Sequence, residues 1–439
     1  MNSAHAYGGI IDNLVAGRWV DPASGRPQTI PVKDIVIAES LEGRERQLVD
    51  KQHRGQSLVV VSDAFTREAL GARVLRTLEP RGNVSEFVWP KPRCSTEGVA
   101  ELMAATADAE ALIAVGSGTI SDSVKYGTFL NGKTYSVFPT SPMNAYTTPT
   151  ASVSEAGFKR SITCHSAAGV FFDLGVLAKC PPRLVSAAFA DVVCRTTSQV
   201  DWLMSHLLFG TPYNDVPYTL LAIDEDALID SAAALLGGDL AALALLTRVA
   251  AIMGLGTSFT GTTHVGSMAE HMISHFVDMF AGAAHPGTSH GEQVGVATLT
   301  MSRLQNEMLA ADAPPPPMAP TVIPEALLSA RFGADTAARM VAETRKKALD
   351  RAAADRLGAR FAEDWEGIAN PLREKMLPYE RLRAAMQAAG CQLTGADLGL
   401  DPEFSRDAVR LARFTRDRFT MLDLAGDSAR LDAFAATCT

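Results

Sequence analysis

The stretch ALIAVGSGTISD, residues 111–122, sets the fold of this chain. Residues 111–115 are a continuous apolar run of strand length, the pattern of a strand covered on both faces. Gly116-Ser117-Gly118-Thr119-Ile120-Ser121-Asp122 follows without a spacer, and residues 121–130 have helical spacing. A glycine turn between strand and helix lets a ligand approach the backbone, and the helix N-terminus adds N–H donors and a positive dipole end. A lone Gly-x-Gly says little; in this setting it predicts a nucleotide cradle.

Working outward, residues 57–62 (SLVVVS) and 84–89 are further strand runs, and residues 66–78 and 96–107 are helical. The order βαβαβ implies a parallel sheet with right-handed crossovers. Asp63 closes the first of these strands, where a carboxylate can accept hydrogen bonds from an adenosine ribose and favour NAD over NADP. A plain polar strand end is the competing reading. Residues 135–138 make another strand, and the proline- and hydroxyl-rich run after it, through residue 153, reads as a structured loop rather than helix or sheet. One more strand, 170–173, precedes Pro181-Pro182. Beyond it, residues 183–209, 224–253 and 268–280 have helical periodicity. The expected architecture is an α/β N-terminal dinucleotide-binding domain with a parallel sheet, residues 1–179, followed by an all-helical metal- and substrate-binding domain, residues 180–439. The length of 439 residues exceeds what one core serves. Pro314 to Pro317 reads as an exposed stiff connector, and residues 331–361 as a solvated helical face.

The helical half carries the chemistry. His271 and His275 are four apart, so both imidazoles project from one helix face. Asp191 and His290 complete a set of one carboxylate and two or three imidazoles, the donor chemistry of a catalytic divalent metal, with Glu270 beside the first histidine. Five of the nine histidines fall between 264 and 290, which favours a cluster over isolated core histidines. The same spacing occurs in HExxH metalloproteases, but Met272 stands beside His271 where those carry the glutamate, so that mechanism has no general base here and the sequence disfavours protease chemistry.

Composition narrows the partners. The 49 acidic against 40 basic side chains give a net charge of −9, which argues against nucleic acid or an anionic membrane and requires a local positive site for any anionic substrate. Residues 1–17 lack the pattern of a signal peptide. The most apolar segment, 240–255, is interrupted by Arg248 and reads as too short to cross a bilayer. A cytoplasmic protein with no membrane partner is expected. Six cysteines show no CxxC spacing and read as reduced thiols; Cys194, one helical turn from Asp191, is the one to watch.

These residues resemble the sn-glycerol-1-phosphate dehydrogenase family, within the superfamily of iron-containing alcohol dehydrogenases and dehydroquinate synthases. The resemblance covers residues 55–305 and is carried by GSGTISDSVKY (116–126), PTSPMNAYTTPTAS (139–152), RLVSAAFADVVCRTTSQVDWLMSHLL (183–208), EHMISH (270–275) and HGEQVGV (290–296). It implies a dehydroquinate-synthase-like fold and homodimer. It further implies a metal-dependent NAD(P)H oxidoreductase interconverting a small phosphorylated ketone and its secondary alcohol: dihydroxyacetone phosphate and sn-glycerol 1-phosphate, or a related phosphonate or polyol. By the resemblance, Gly116, Ser117, Gly118, Thr119 and Ile120 hold the pyrophosphate of NAD or NADP, with Thr140, Ser141 and Thr148 nearby. Asp191, His271 and His290 match three metal ligands, zinc in most members and nickel or iron in bacterial relatives. His275 matches a substrate-facing histidine that relays or orients the alcohol proton, and Asp191 and His275 are the implied catalytic pair. Lys159 and Arg160 could offer charge to a phosphate.

Two departures stand out. The family carries Asp-Gly where this chain has Asn144-Ala145, and Ser-Arg-Pro-Ala-Ser-Gly where this chain has the run 263–268, THVGSM. Asn144 and His264, with His275, are therefore the expected substrate-facing positions at which specificity diverges. Two other readings compete. A dehydroquinate-synthase-like cyclase would share fold, NAD and metal, but that pattern has a glutamate ligand where Asp191 stands. A non-catalytic homologue would have lost the ligand set.

Overall fold

The computed structural model describes residues 7–155 and 158–438. Eight strands occur among them: β1 (Asp34–Ala38), β2 (Leu58–Ser62), β3 (Val84–Val88), β4 (Ala111–Gly116), β5 (Thr134–Pro139), β6 (Thr150–Glu155), β7 (Phe158–Thr163) and β8 (Gly169–Asp173). Six form one parallel sheet in the order β1-β8-β5-β4-β2-β3. Strands β1, β2, β4 and β8 are buried along their whole length, their apolar interiors interrupted only by Asp34, Ser62 and Asp173 at strand ends. One face of the core interleaves Val36, Val60, Ile113 and Phe171 with Leu70, Val74 and Leu78 from the helical segment after β2. The chain runs outward from β2 to β3 and returns on the other side of β2 as β4. The carboxyl ends of β2 and β4 thus flank the topological switch point, where open α/β sheets bind ligands.

Three local expectations change. The helix after the glycine turn begins at Gly118 and runs to Leu130, so the turn is shorter than the sequence suggested. The hydroxyl-rich run is not all loop: β6 and β7 pair as an antiparallel hairpin, seated by the Ser154 amide donating to the Cys94 carbonyl at 2.8 Å. The helical run after Pro181 breaks at Cys194 into Pro182–Val193 and Arg195–Phe209.

The chain divides into two compact units, Met1–Ala188 with Asn214–Thr263, and Phe189–Tyr213 with His264–Thr439. A single boundary near residue 180 is therefore replaced by an interleaved division. Residues 214–263 return to the first unit because the Leu240–Thr260 helix packs onto the loop after β5, where Thr147 Oγ1 donates to the Ala251 carbonyl at 2.7 Å. That helix corrects a second expectation. At 21 residues it is long and apolar enough to cross a membrane, but 78% of its apolar window is buried in the protein, as in a core helix. Arg248 within it is neutralised by Asp224 through two contacts of 2.7 and 2.8 Å.

The second unit is helical. The Ala269–Phe280 helix turns Met272, Ile273, Phe276 and Val277 into a core shared with Val200 and Met204 of the Arg195–Phe209 helix and with Met301 and Leu304 of the His290–Met308 helix. Its polar residues 270, 271, 274 and 275 occupy the remaining face, the 3.6-residue period deciding which is which.

Candidate active site

In the first unit, Gly116 is required by close packing. A Cβ there would stand 3.0 Å from Ile120 Cγ1 and 3.3 Å from Thr66 Oγ1. Gly118 is different: a Cβ would meet only Ala145, at an ordinary 3.5 Å, so the protein's own packing does not demand a glycine. Ser117 precedes the helix without a side-chain capping bond. An uncapped N-terminus with no Cβ at its first residue is the surface a pyrophosphate needs. Thr119 is exposed at this edge, whereas the Ile120 side chain is core and only its backbone can face a ligand.

The other expected cofactor residues divide. Asp63 caps the following helix, its Oδ1 accepting from the Thr66 amide at 2.8 Å while Thr66 Oγ1 accepts from the Asp63 amide at 3.0 Å. The polar-strand-end reading thus describes one of its oxygens, and the residue is only part-buried. Thr140 donates its amide to the Gly116 carbonyl. Ser141 is buried and bonds Tyr146 Oη at 2.8 Å, which itself reaches the Gly116 carbonyl; its hydroxyl braces the turn. Thr148 Oγ1 accepts from the Thr150 amide. Arg160 pairs with Glu155 at 2.6 Å on the exposed hairpin. Lys125, which sequence reading passed over, is fully buried, donating to Asp122 Oδ1 and to the carbonyls of Ala145 and Thr150 at 2.8–2.9 Å.

The second unit gathers Asp191, His271, His275 and His290; Asn144 belongs to the first unit. One ligand atom each from Asp191, His271 and His290 lies within 4.8 Å of the others, and His271 Nε2 stands 3.6 Å from Asp191 Oδ1. Two donors at tetrahedral angles around one ion are about 3.4 Å apart, so the spacing fits. Gly295 makes the approach possible: a Cβ there would lie 2.7 Å from the Cβ of Ala190, next to Asp191.

Hydrogen bonds sort the three imidazoles. His271 Nδ1 faces Glu270 Oε1 at 3.1 Å; a carboxylate accepts, so Nδ1 carries the proton and Nε2 the lone pair toward Asp191. Ser274 Oγ spends its one hydrogen on Gln293 Oε1 at 2.9 Å, so His290 Nδ1, 3.0 Å from the same oxygen, must be the donor there, again leaving the lone pair on Nε2. His275 is the reverse. Arg416 Nη2 lies 2.9 Å from its Nδ1, and a guanidinium can only donate, so the His275 proton sits on Nε2. Two histidines thus turn a lone pair outward on Nε2 and the third an N–H. His275 stacks on His290, ring centroids 5.4 Å apart.

A second grouping, Cys194, Glu270 and His271, lies in the same place. Glu270 is already engaged by the Met268 amide at 2.6 Å, Thr197 Oγ1 at 3.2 Å and His271. Burial, Glu270 and Asp191 push the Cys194 thiol far above its ordinary value, away from the thiolate a metal needs.

Beneath the site lie Asp201, which sequence reading missed, and His264, which it named. Asp201 is fully buried, accepting from the amides of Met421 and Ala269 and from Gln305. Burial, then the Glu270 charge, raises it to about 8. His264 is pushed down to about 3 by burial and then by Arg418, and its ring packs on Trp202 at 5.6 Å. Asp201 in the folded chain keeps a proton that an unfolded aspartate, near 3.9, gives up, so its contribution to stability is whole below about pH 4 and is lost as pH rises through about 8. His264 acts oppositely and is spent by about pH 6.5. The melting temperature is therefore expected to fall between pH 6.5 and 8.5, and Asp201→Asn to flatten that slope; equal slopes by calorimetry would contradict the assignment.

The iron-containing alcohol dehydrogenase family model matches residues 36–181. Glycerol-1-phosphate dehydrogenase of Bacillus velezensis is 28% identical over 291 residues, 64% of this chain and 73% of that protein. Its counterpart in Geobacillus stearothermophilus is 26% identical over 412 residues, 89% and 92% of the two chains. The crystal structure of glycerol dehydrogenase from Schizosaccharomyces pombe superposes with a TM-score of 0.60 at 15% identity, over 92% of this chain and 90% of that one, which shows the fold. These likenesses support a divergent member of the glycerol-1-phosphate dehydrogenases among the iron-containing alcohol dehydrogenases, an NAD(P)-dependent, metal-containing dehydrogenase.

Proposed function

We propose that this protein reduces a small phosphorylated ketone, dihydroxyacetone phosphate or a close phosphonate or polyol analogue, to the secondary alcohol with NAD(P)H, and runs the reverse oxidation. The observation that carries the reading is the sorted imidazole set: Asp191, His271 and His290 present one oxygen and two lone-pair nitrogens, while His275 presents an N–H. Asp191, His271 and His290 would hold one divalent ion, zinc first and nickel or iron as the other choices, which when bound supplies Lewis-acid polarisation of the substrate oxygen. NAD(P)H supplies the hydride, its pyrophosphate held at Gly116 to Ile120.

The chain's own residues do the rest. Glu270 and Ser274 fix the ring orientation of His271 and His290 through their Nδ1 protons. His275 Nε2–H points a donor for the substrate oxygen and orients it. With Arg416 on Nδ1 it has no route to take up a second proton, and a neutral imidazole is a very weak acid, so orientation rather than relay is its role. Asn144 and His264 are the proposed substrate-selecting positions. Burial holds His264 neutral, so it recognises by shape and hydrogen bonding rather than charge.

The test is NADH oxidation by purified protein with added zinc, nickel or iron. Dihydroxyacetone phosphate is run beside phosphonate and unphosphorylated ketones. Turnover with the phosphorylated or phosphonate ketone is expected with at least one metal; none with any of them would defeat the reading.

A further inference from the structure

The short segment Arg416-Asp417-Arg418 lies well beyond the five sequence blocks quoted above, yet it reaches the histidine cluster. Arg416 Nη2 donates to His275 Nδ1 at 2.9 Å, and Arg418 Nη1 donates to the carbonyl of Ser267, three residues before Glu270. Both arginines are part-buried, whereas Asp417 between them is exposed. Arg418 is lowered to about 10 by burial and by the like charge of Arg416, so the two guanidiniums are close enough to feel each other. Two carboxylates act on Arg418: Asp417, which is exposed, and after it the buried Glu270, which is spent on Met268, Thr197 and His271. His264, on which Arg418 acts, is held neutral by burial. A positive site therefore stands beside a substrate-facing histidine in a chain whose net charge is −9.

We propose that Arg416 is a specificity-determining residue that receives the anionic group of the substrate, with Arg418 bracing the segment against the run 263–268. This rests on the reading of a phosphorylated or phosphonate substrate. Arg416 uses Nη2 on His275, and a guanidinium carries five N–H donors in a planar fork. One edge can thus hold His275 while another meets a phosphoryl group, coupling recognition of the anion to the orientation of the reacting oxygen. Lys159 and Arg160 are weaker candidates, since Arg160 is paired with Glu155 on an exposed hairpin.

The test compares wild type, Arg416→Gln and Arg416→Lys in two assays: kinetics with dihydroxyacetone phosphate against dihydroxyacetone, and calorimetric binding of inorganic phosphate. Arg416→Gln is expected to raise KM for the phosphorylated ketone roughly 10- to 150-fold, the span of charge-assisted hydrogen bonds. It should collapse the preference for phosphorylated over unphosphorylated ketone and abolish phosphate binding; Arg416→Lys should restore part of each. A preserved preference, or an equal loss on both ketones, would overturn the proposal, the second outcome leaving Arg416 only a prop for His275. Should wild type turn over neither ketone, the phosphate arm still decides: binding lost in Arg416→Gln upholds the anion site, and no binding to wild type sinks it.

Discussion

Replacing Asp191 with alanine is expected to strip the protein of its metal and of its turnover together. Bound metal should fall from one ion per chain to a trace, and kcat/KM by about 10³-fold or more. Lewis-acid polarisation is worth several kcal/mol, and each 1.36 kcal/mol is tenfold in rate. Asp191 is the one carboxylate in the proposed ligand set, 3.6 Å from His271 Nε2, and without it two neutral imidazoles face an ion with no anionic partner. The effect should grade with distance from the ion. Glu270→Gln, which weakens the hold on His271 Nδ1, is expected to cost 10- to 100-fold in metal affinity, the usual range for a group behind a ligand. Cys194→Ser should leave the metal in place. Metal retained in Asp191→Ala, or lost in Cys194→Ser, would move the ion to the Cys194, Glu270, His271 grouping.

The second large effect is on stability. Lys125→Met should cost roughly 3–5 kcal/mol, because removing one partner of a buried pair leaves the other uncompensated. Lys125 is fully buried and ties Asp122 to the carbonyls of Ala145 and Thr150, while Asp122 Oδ2 accepts from the Ser152 amide at 2.9 Å. One ammonium thus fastens the helix after the glycine turn to the loop bearing Asn144 and to the hairpin. For a unit of this size the loss corresponds to a fall of about 6–20 °C in melting temperature. A shift under 2 °C by scanning calorimetry would show that the methionine chain packs there without loss.

What could be read in the sequence follows from how local its physics is. β2, β4 and β8 are apolar runs covered on both faces, and their composition alone marks them. β1 escaped because DIVIA is five residues long with no helical pattern before it, and it is defined by pairing with β8, far along the chain. The β6–β7 hairpin escaped because its hydroxyl-rich strands look like loop; their order comes from Lys125, Asp122 and the Cys94 carbonyl. At the site, His271 and His275 announce themselves by a spacing of four, and Asp191 and His290 by the company they keep. Which imidazole donates and which accepts was invisible, since that is set by Ser274, Gln293 and Arg416. Arg416 sits 141 positions from His275 in a segment of mixed charge, with nothing in its pattern to mark it. The interleaving of the two units was equally hidden, because the helical periodicity of residues 240–260 says that the helix is buried but not in which core.

The central claim is a single divalent ion on Asp191, His271 and His290, with His275 as a donor outside the coordination sphere. Anomalous diffraction at the zinc or nickel edge from crystals grown with that metal tests it most directly. One peak is predicted, about 2.0–2.2 Å from Asp191 Oδ1, His271 Nε2 and His290 Nε2. A peak bonded to His275 or to Cys194, or no peak within reach of Asp191, would contradict it.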